Sequence, residues 1–295
     1  MSGTPPLTVV TIAREPTAVL ERFLTWHLSQ GAARIIVFLD DPDDPAQHAL
    51  AGDPRVEFRP CTHGLWASIG VAPGARFTKR QRAAMTAAYR EITEGWVMIL
   101  DADELMWFAG RDLPSGLATL PPDTASLRVR SAEEVTMPDG ARAFRLPIPR
   151  AAVDPIYGAD AGLFRPRFGL VGHPEGKSIH RAGLPGIRLK LHWAVDATGE
   201  AVSGPVWGAA ERAYLLHYFA PGYARWRAKM DWRAGAHGFA DPLKARLAEI
   251  ANSPDPEGGY HALYDRLHAL NSAEAQALDA LGGLLHDRPD LLRVS

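Results

Sequence analysis

The chain has 295 residues, 46% of them hydrophobic and 22% charged, with a formal net charge of −2. That is the profile of a globular protein with a sizeable core, in one large or two small domains, and it provides no global field for nucleic acid. The single cysteine, Cys61, excludes an internal disulfide and any cysteine-based zinc site. The first residues lack the basic start and apolar run of a secretory signal, and no stretch approaches about 18 apolar residues, so a cytoplasmic location without a membrane span is expected.

In chain order, Leu7 to Ala13 is apolar and β-rich and predicts a first strand. Pro16 then sits where a first helical turn tolerates proline. Val19, Leu20, Phe23, Leu24, His27 and Leu28 follow helical spacing, and Gly31 supplies the stop. Arg34 to Asp40 predicts a second buried strand. Such a β-α-β unit with short connections favours a parallel sheet.

Residues 41 to 78 read as irregular, with a short strand at Arg55 to Arg59, and a helix is predicted over Lys79 to Thr93, ended by Gly95. The run Trp96-Val-Met-Ile-Leu-Asp101-Ala-Asp103-Glu104 follows at once. As a buried strand running into carboxylates, it places Asp101 and Asp103 on one face by alternation. Two like-facing carboxylates hold a negative field that a hard cation, Mg²⁺ or Mn²⁺, itself bound to phosphate oxygens, neutralises. Both acidic strand ends, at Asp40 and Asp101, fall on the edge where open α/β sheets bind ligands. Asp40 suits a ribose or a base N–H; a solvated turn is the plain alternative. Lys79, Arg80 and Arg82 open the helix before the acidic run, where an anion such as a diphosphate is favoured, and Gln81 lies among them.

Beyond residue 110 the predicted pieces are short: Ala125–Arg130, Ala143–Ile148, Gly162–Phe168, an alternating strand over Ile187–Val195 carrying His192, and Ala213–Phe219 carrying His217. Between them, Phe164 to Arg181 is a glycine-rich basic segment containing Arg165, Arg167, His173, Lys177, His180 and Arg181, suited to phosphates or to a solvated loop. The tail predicts helices over Tyr223–Arg233, Pro242–Ala251, Tyr260–Leu270 and Ala273–His286. The phosphate-loop, dinucleotide, serine-hydrolase and zincin motifs are all missing.

These residues resemble the family 2-like glycosyltransferases of GT-A fold and the related family 92 enzymes. The likeness covers about residues 7 to 235 and is carried by Thr11-Ile-Ala-Arg14-Glu15, Phe23-Leu-Thr-Trp-His27, Gly31, the strand to Asp40, the Lys/Arg/Gln helix, the Asp101-Ala-Asp103-Glu104 run, Gly176-Lys177-Ser178, His192 and Leu216-His217-Tyr218. It implies an α/β, Rossmann-like, mixed and mostly parallel sheet flanked by helices over residues 1–235, with a helical C-terminal extension over 236–295. It implies sugar transfer from a nucleotide-sugar donor, of the UDP kind, to a saccharide or other hydroxyl acceptor, with bacterial surface polysaccharide a destination by analogy alone. The implied metal ligands are Asp103, Asp101 and His217, and the donor would be bordered by Ala13, Arg14, Glu15, Asp40, Lys79, Arg80, Gln81, Asp101 and Lys177. Relatives often carry Asn where Arg14 stands. A carboxylate deprotonates the acceptor hydroxyl in such chemistry, and Glu133 and Glu134 are the first candidates. Two other classes use the same residues: a metallohydrolase built on Asp101, Asp103, His192 and His217, and a nucleotide-sugar binding protein without turnover.

Overall fold

The computed structural model describes residues 4–219, 222–233, 240–287 and 289. Chain contacts gather into two compact units, one built chiefly from Met1–Arg130 and Glu175–Leu215, the other from Ser131–Pro174 and Leu216–Arg288. The expected domain over residues 1–235 thus contributes segments to both units. The tail expected as an extension shares the second unit with Ser131–Pro174.

The first unit opens with β1 (Leu7–Ala13), α1 (Thr17–Ser29), β2 (Arg34–Leu39), α2 (Ala46–Ala49), β3 (Val56–Pro60), α3 (His63–Ser68), α4 (Phe77–Glu91), β4 (Trp96–Ile99), β5 (Glu104–Phe108), α5 (Leu113–Leu117) and β6 (Ser126–Val129). The chain then supplies β7 (Ser131–Thr136), β8 (Arg142–Arg145), α6 (Arg150–Tyr157) and α7 (Ala161–Phe164) to the second unit. It returns to the first with β9 (Lys177–Arg181), β10 (Arg188–Leu189), β11 (Ala194–Val195) and β12 (Val206–Trp207). The division falls inside β13 (Ala213–His217), and α8 (Tyr223–Arg233), α9 (Asp241–Ala251), α10 (Pro256–His268), α11 (Ser272–Ala280) and β14 (Leu284–Leu285) complete the second unit.

The first unit's sheet runs β12-β6-β9-β4-β1-β2-β3. β1 pairs in parallel with β2 on one side, Val9 opposite Ile35, and with β4 on the other, Leu7 opposite Trp96. β9 alone runs against its neighbours, with Val97 opposite His180 and Val129 opposite Lys177. This is a mixed α/β architecture with a mostly parallel, Rossmann-like sheet. Alternation sends Val10, Ile12, Ile36, Phe38, Val97 and Ile99 into one cluster with Ala84, Met85 and Ala88 of α4. The opposite set, Leu7, Val9, Ile35, Val37, Trp96 and Met98, is equally buried. Both faces are covered, as parallel sheets require.

Helix α1 does more than cover a face. The Trp26 indole N–H donates to the Met106 carbonyl at 2.8 Å, and the Met106 N–H donates to Nε2 of His27 at 3.3 Å. Two adjacent side chains therefore satisfy both backbone groups of one β5 residue, as a neighbouring strand would. His27 Nδ1 bonds the Phe23 carbonyl at 2.9 Å, so its partners fit the neutral ring protonated at Nδ1. Burial drives its pKa down to about 3, against the Phe23 contact.

Four expectations change. The acidic strand stops at Ile99, and Asp101–Glu104 is a turn closed by the Glu104 N–H on the Asp101 carbonyl at 3.0 Å. Strand alternation therefore does not relate Asp101 to Asp103. Gly162–Phe168, expected as β, is helical: α7 runs into a single 3₁₀ turn over Arg165–Arg167. Pro166 lacks the N–H that a strand interior would need. Ile187–Val195 is a hairpin of β10 and β11, Arg188 opposite Val195, so His192 lies in its bend rather than in a strand. The last helix ends at Ala280. Gly282, at φ 65°, follows, and Leu284–Leu285 pairs with β8 instead.

The second unit packs the antiparallel strands β7, β8 and β14 with α6 to α11 around Val135, Val153, Phe164, Trp226, Leu263, Leu267 and Leu278. Among the described residues no helix is long and apolar enough to cross a membrane.

Gly95 precedes β4 at φ 78°, and a Cβ there would stand 2.0 Å from the Pro6 carbonyl oxygen. Gly95→Ala should therefore cost more than about 2 kcal/mol in urea unfolding, whereas Gly140→Ala, also at positive φ but in open space, should cost less. His27 predicts a pH dependence as well. Its folded pKa of about 3 lies below the ordinary 6.5, so only the unfolded chain gains a proton as pH falls through 6.5. The native state loses stability in that window. Unfolding free energies measured at pH 7.5, 6 and 5 should fall more steeply for wild type than for His27→Gln, by about 1.4 kcal/mol per pH unit below 6.5.

Candidate functional site

The strand order reverses between β1 and β4: β1 leads through α1 to β2 on one side, while β3 leads through α4 to β4 on the other. Right-handed crossovers then place α1 and α4 on opposite faces, and the carboxyl ends of β1 and β4 form the edge at which open α/β sheets bind ligands. The residues after β1 are Arg14, exposed, and Glu15, half-buried; the residues after β4 are the Asp101–Glu104 turn.

That turn is organised by a buried cation. Lys177, 1% exposed, donates from Nζ to Asp101 Oδ2 at 2.9 Å and lies 3.3 Å from Glu104 Oε2. Gln81, buried on α4, donates from Nε2 to the other oxygen, Asp101 Oδ1, at 2.8 Å. The Asp101 N–H closes the loop by donating to Glu104 Oε2 at 2.9 Å. Burial pushes the Glu104 carboxyl up to about 8; Lys177 opposes the rise, and the charges of Asp101 and Asp103 add to it. Burial alone would lower the Lys177 pKa, but Asp101 and Glu104 outweigh it and hold the ammonium charged. Asp103 is buried at 6% exposure, while the Asp101 side chain is 43% exposed.

Two strands over, Asp40 follows β2 with its side chain 5% exposed and pairs with Arg80 of α4 at 2.9 Å. Arg80 also donates to the Pro73 carbonyl at 3.2 Å, and its guanidinium lies 5.6 Å from the Trp66 ring centre and 5.9 Å from that of Phe77. Two residues expected to reach for a donor separately are thus joined to each other. Lys79 is exposed in the first turn of α4. His192 uses Nδ1 on the Gly176 carbonyl at 2.9 Å, so it braces the segment leading into β9.

Among the described residues no group of three or more His, Cys, Asp or Glu side chains is placed to hold a metal ion. Mg²⁺ does not require such a cage, since it is commonly held by one or two carboxylates with waters and substrate phosphates. The hard oxygen donors of Asp101 and Asp103 fit that mode, and the Asp101 side chain is partly exposed.

His217, Glu133 and Glu134 belong to the second unit. Glu133, 5% exposed, accepts from the Val171 N–H at 2.8 Å, from the Gly172 N–H, and from Arg145 at 3.1 Å. Burial would raise its pKa, but Arg145, His217 and the two N–H groups hold it below the usual carboxylate range. A carboxylate so engaged is a poor proton acceptor. Glu134 is half-buried and lies 4.0 Å from Arg142. Arg145, which no sequence signal singled out, is 1% exposed and also donates to the Leu267 carbonyl at 3.3 Å. Two cavities, of ≈ 620 Å³ beside Tyr157, Arg266 and Asn271 and of ≈ 530 Å³ beside Tyr89, Leu184 and Arg188, include none of the candidate residues.

Arg145→Met should destabilise the chain by roughly 3–5 kcal/mol, because it strands a buried carboxylate, and Glu133→Gln in that background should recover part of the loss. Urea unfolding of the single and double variants checks this. A scan against protein-family models finds no match to this chain, and a search of curated proteins finds none either.

Proposed function

We propose that the chain is a glycosyltransferase that moves a sugar from a nucleotide-sugar donor, of the UDP kind, to an acceptor hydroxyl, on a sheet of GT-A type. The observation that carries this reading is the meeting of an acidic turn with the β1/β4 reversal point. The turn Asp101–Glu104 closes β4, and Asp40 closes β2 on the far side of β1. Ligands of open α/β sheets bind at that edge.

In this reading Asp103, with Asp101, would hold Mg²⁺ or Mn²⁺, which supplies positive charge against the leaving diphosphate. The chain's own residues do the rest. Lys79 and the amino end of the 15-residue α4 favour the diphosphate by charge and dipole. Asp40 accepts from the base or ribose, held in place by Arg80. Ala13, Arg14 and Glu15 border the nucleotide where β1 ends. Arg14 is exposed there, within reach of a ligand.

A nucleoside diphosphate that binds only the folded chain stabilises it by about 2.7 kcal/mol at a hundredfold excess over Kd. UDP with Mn²⁺ should therefore raise the melting temperature by about 5 °C. Asp103→Asn should remove that gain; a full gain in the variant would remove Asp103 from the metal. Release of UDP from a UDP-sugar in the presence of acceptors separates a transferase from a binding protein, and cleavage of generic phosphoesters without acceptor would favour a hydrolase.

A further inference from the structure

Lys177 reads from sequence as a cation that touches the donor. The geometry points to a different part: we propose that Lys177 is a positioning residue, which acts on the ligand only by fixing Asp101. For its ligand this inference rests on the sugar-transfer reading.

The ammonium is buried, and two carboxyl groups already hold it, Asp101 Oδ2 at 2.9 Å and Glu104 Oε2 at 3.3 Å. With its side chain 2% exposed, it has almost no surface left to meet a diphosphate. Its backbone is also fixed. Gly176, at φ 71°, brings the chain so close to β6 that a Cβ would stand 1.8 Å from the Val129 carbonyl oxygen, and Lys177 pairs opposite Val129. The partner side is equally constrained. Gln81 holds Asp101 Oδ1 from α4, and the Asp101 N–H holds Glu104 from within the turn.

Lys177 thus gives Asp101 Oδ2 a charge-assisted hold and ties it to the buried Glu104 carboxyl three residues on. Without it Asp101 Oδ2 loses the hydrogen bond that aims it. The orientation of Asp101 at the β1/β4 reversal point is therefore set from β9, a strand whose ligand-facing role is indirect.

Three variants test this: Lys177→Met, Asp101→Asn and the two combined. Each is followed by its urea midpoint and by calorimetric Kd for UDP with Mn²⁺. Lys177→Met should lower the midpoint and weaken UDP binding at least tenfold in protein that is still folded. In the Asp101→Asn background Lys177→Met should change Kd by less than about threefold, because the residue it acts through is already altered. A combined variant that binds at least tenfold more weakly than Asp101→Asn would show that Lys177 meets the donor directly, and would overturn the proposal. So would an unchanged Kd in Lys177→Met, the mark of a lysine that only stabilises. If wild type binds no UDP at all, the sugar-transfer reading falls by itself; the midpoints then decide, and additive losses from the two substitutions would overturn the Lys177–Asp101 coupling.

Discussion

A buried ammonium between two carboxyl groups is the constraint around which the first unit's ligand edge is arranged. Lys177 leaves no room for solvent, so its charge must be met by protein, and Asp101 and Glu104 meet it. The same contact stitches β9 to the turn that closes β4. An ion pair of this kind is weak as a source of stability, since desolvation offsets most of the attraction. It is strong as a source of geometry, because removing either partner leaves an uncompensated charge. The second unit repeats the device with Arg145 and Glu133, there with the N–H groups of Val171 and Gly172 added.

The parallel opening of the chain was legible because several signals agreed. The apolar runs of β1 and β2, the helical spacing of α1, Pro16 at its start and Gly31 after its end all favour the same units. The ends of α4 were legible to within two residues. The acidic turn was not. The apolar run continues through Leu100, so the carboxylates look like the end of a strand; in fact the Glu104 carboxyl accepts from the Asp101 N–H, and that competes with strand pairing. β5 was missed for a related reason. It follows the turn without a break, and part of its backbone is satisfied by side chains of α1, which leave no pattern of their own.

Candidate site residues divide along the same line. Residue types and their place along strands marked Asp40, Gln81, Asp101 and Lys177 as important, and the structure gives each a definite partner. Their roles were harder to read, because a role depends on which charge faces which. Arg80 faces Asp40, Lys177 faces Asp101, and Glu133 faces Arg145, a residue that nothing local distinguishes. Partners 12, 40 or 76 residues apart leave no periodic trace.

The contact of Trp26 and His27 with a single residue, Met106, has a bearing on how this sequence can vary. One side chain offers a proton and its neighbour receives one, so the rotational phase of α1 is keyed to β5. Inserting or deleting a residue between Thr17 and His27 would turn the helix by about 100° and put the wrong atom before each backbone group. Chains that keep this arrangement must therefore conserve the length of α1, and absorb additions in the irregular stretch between β2 and β3 instead.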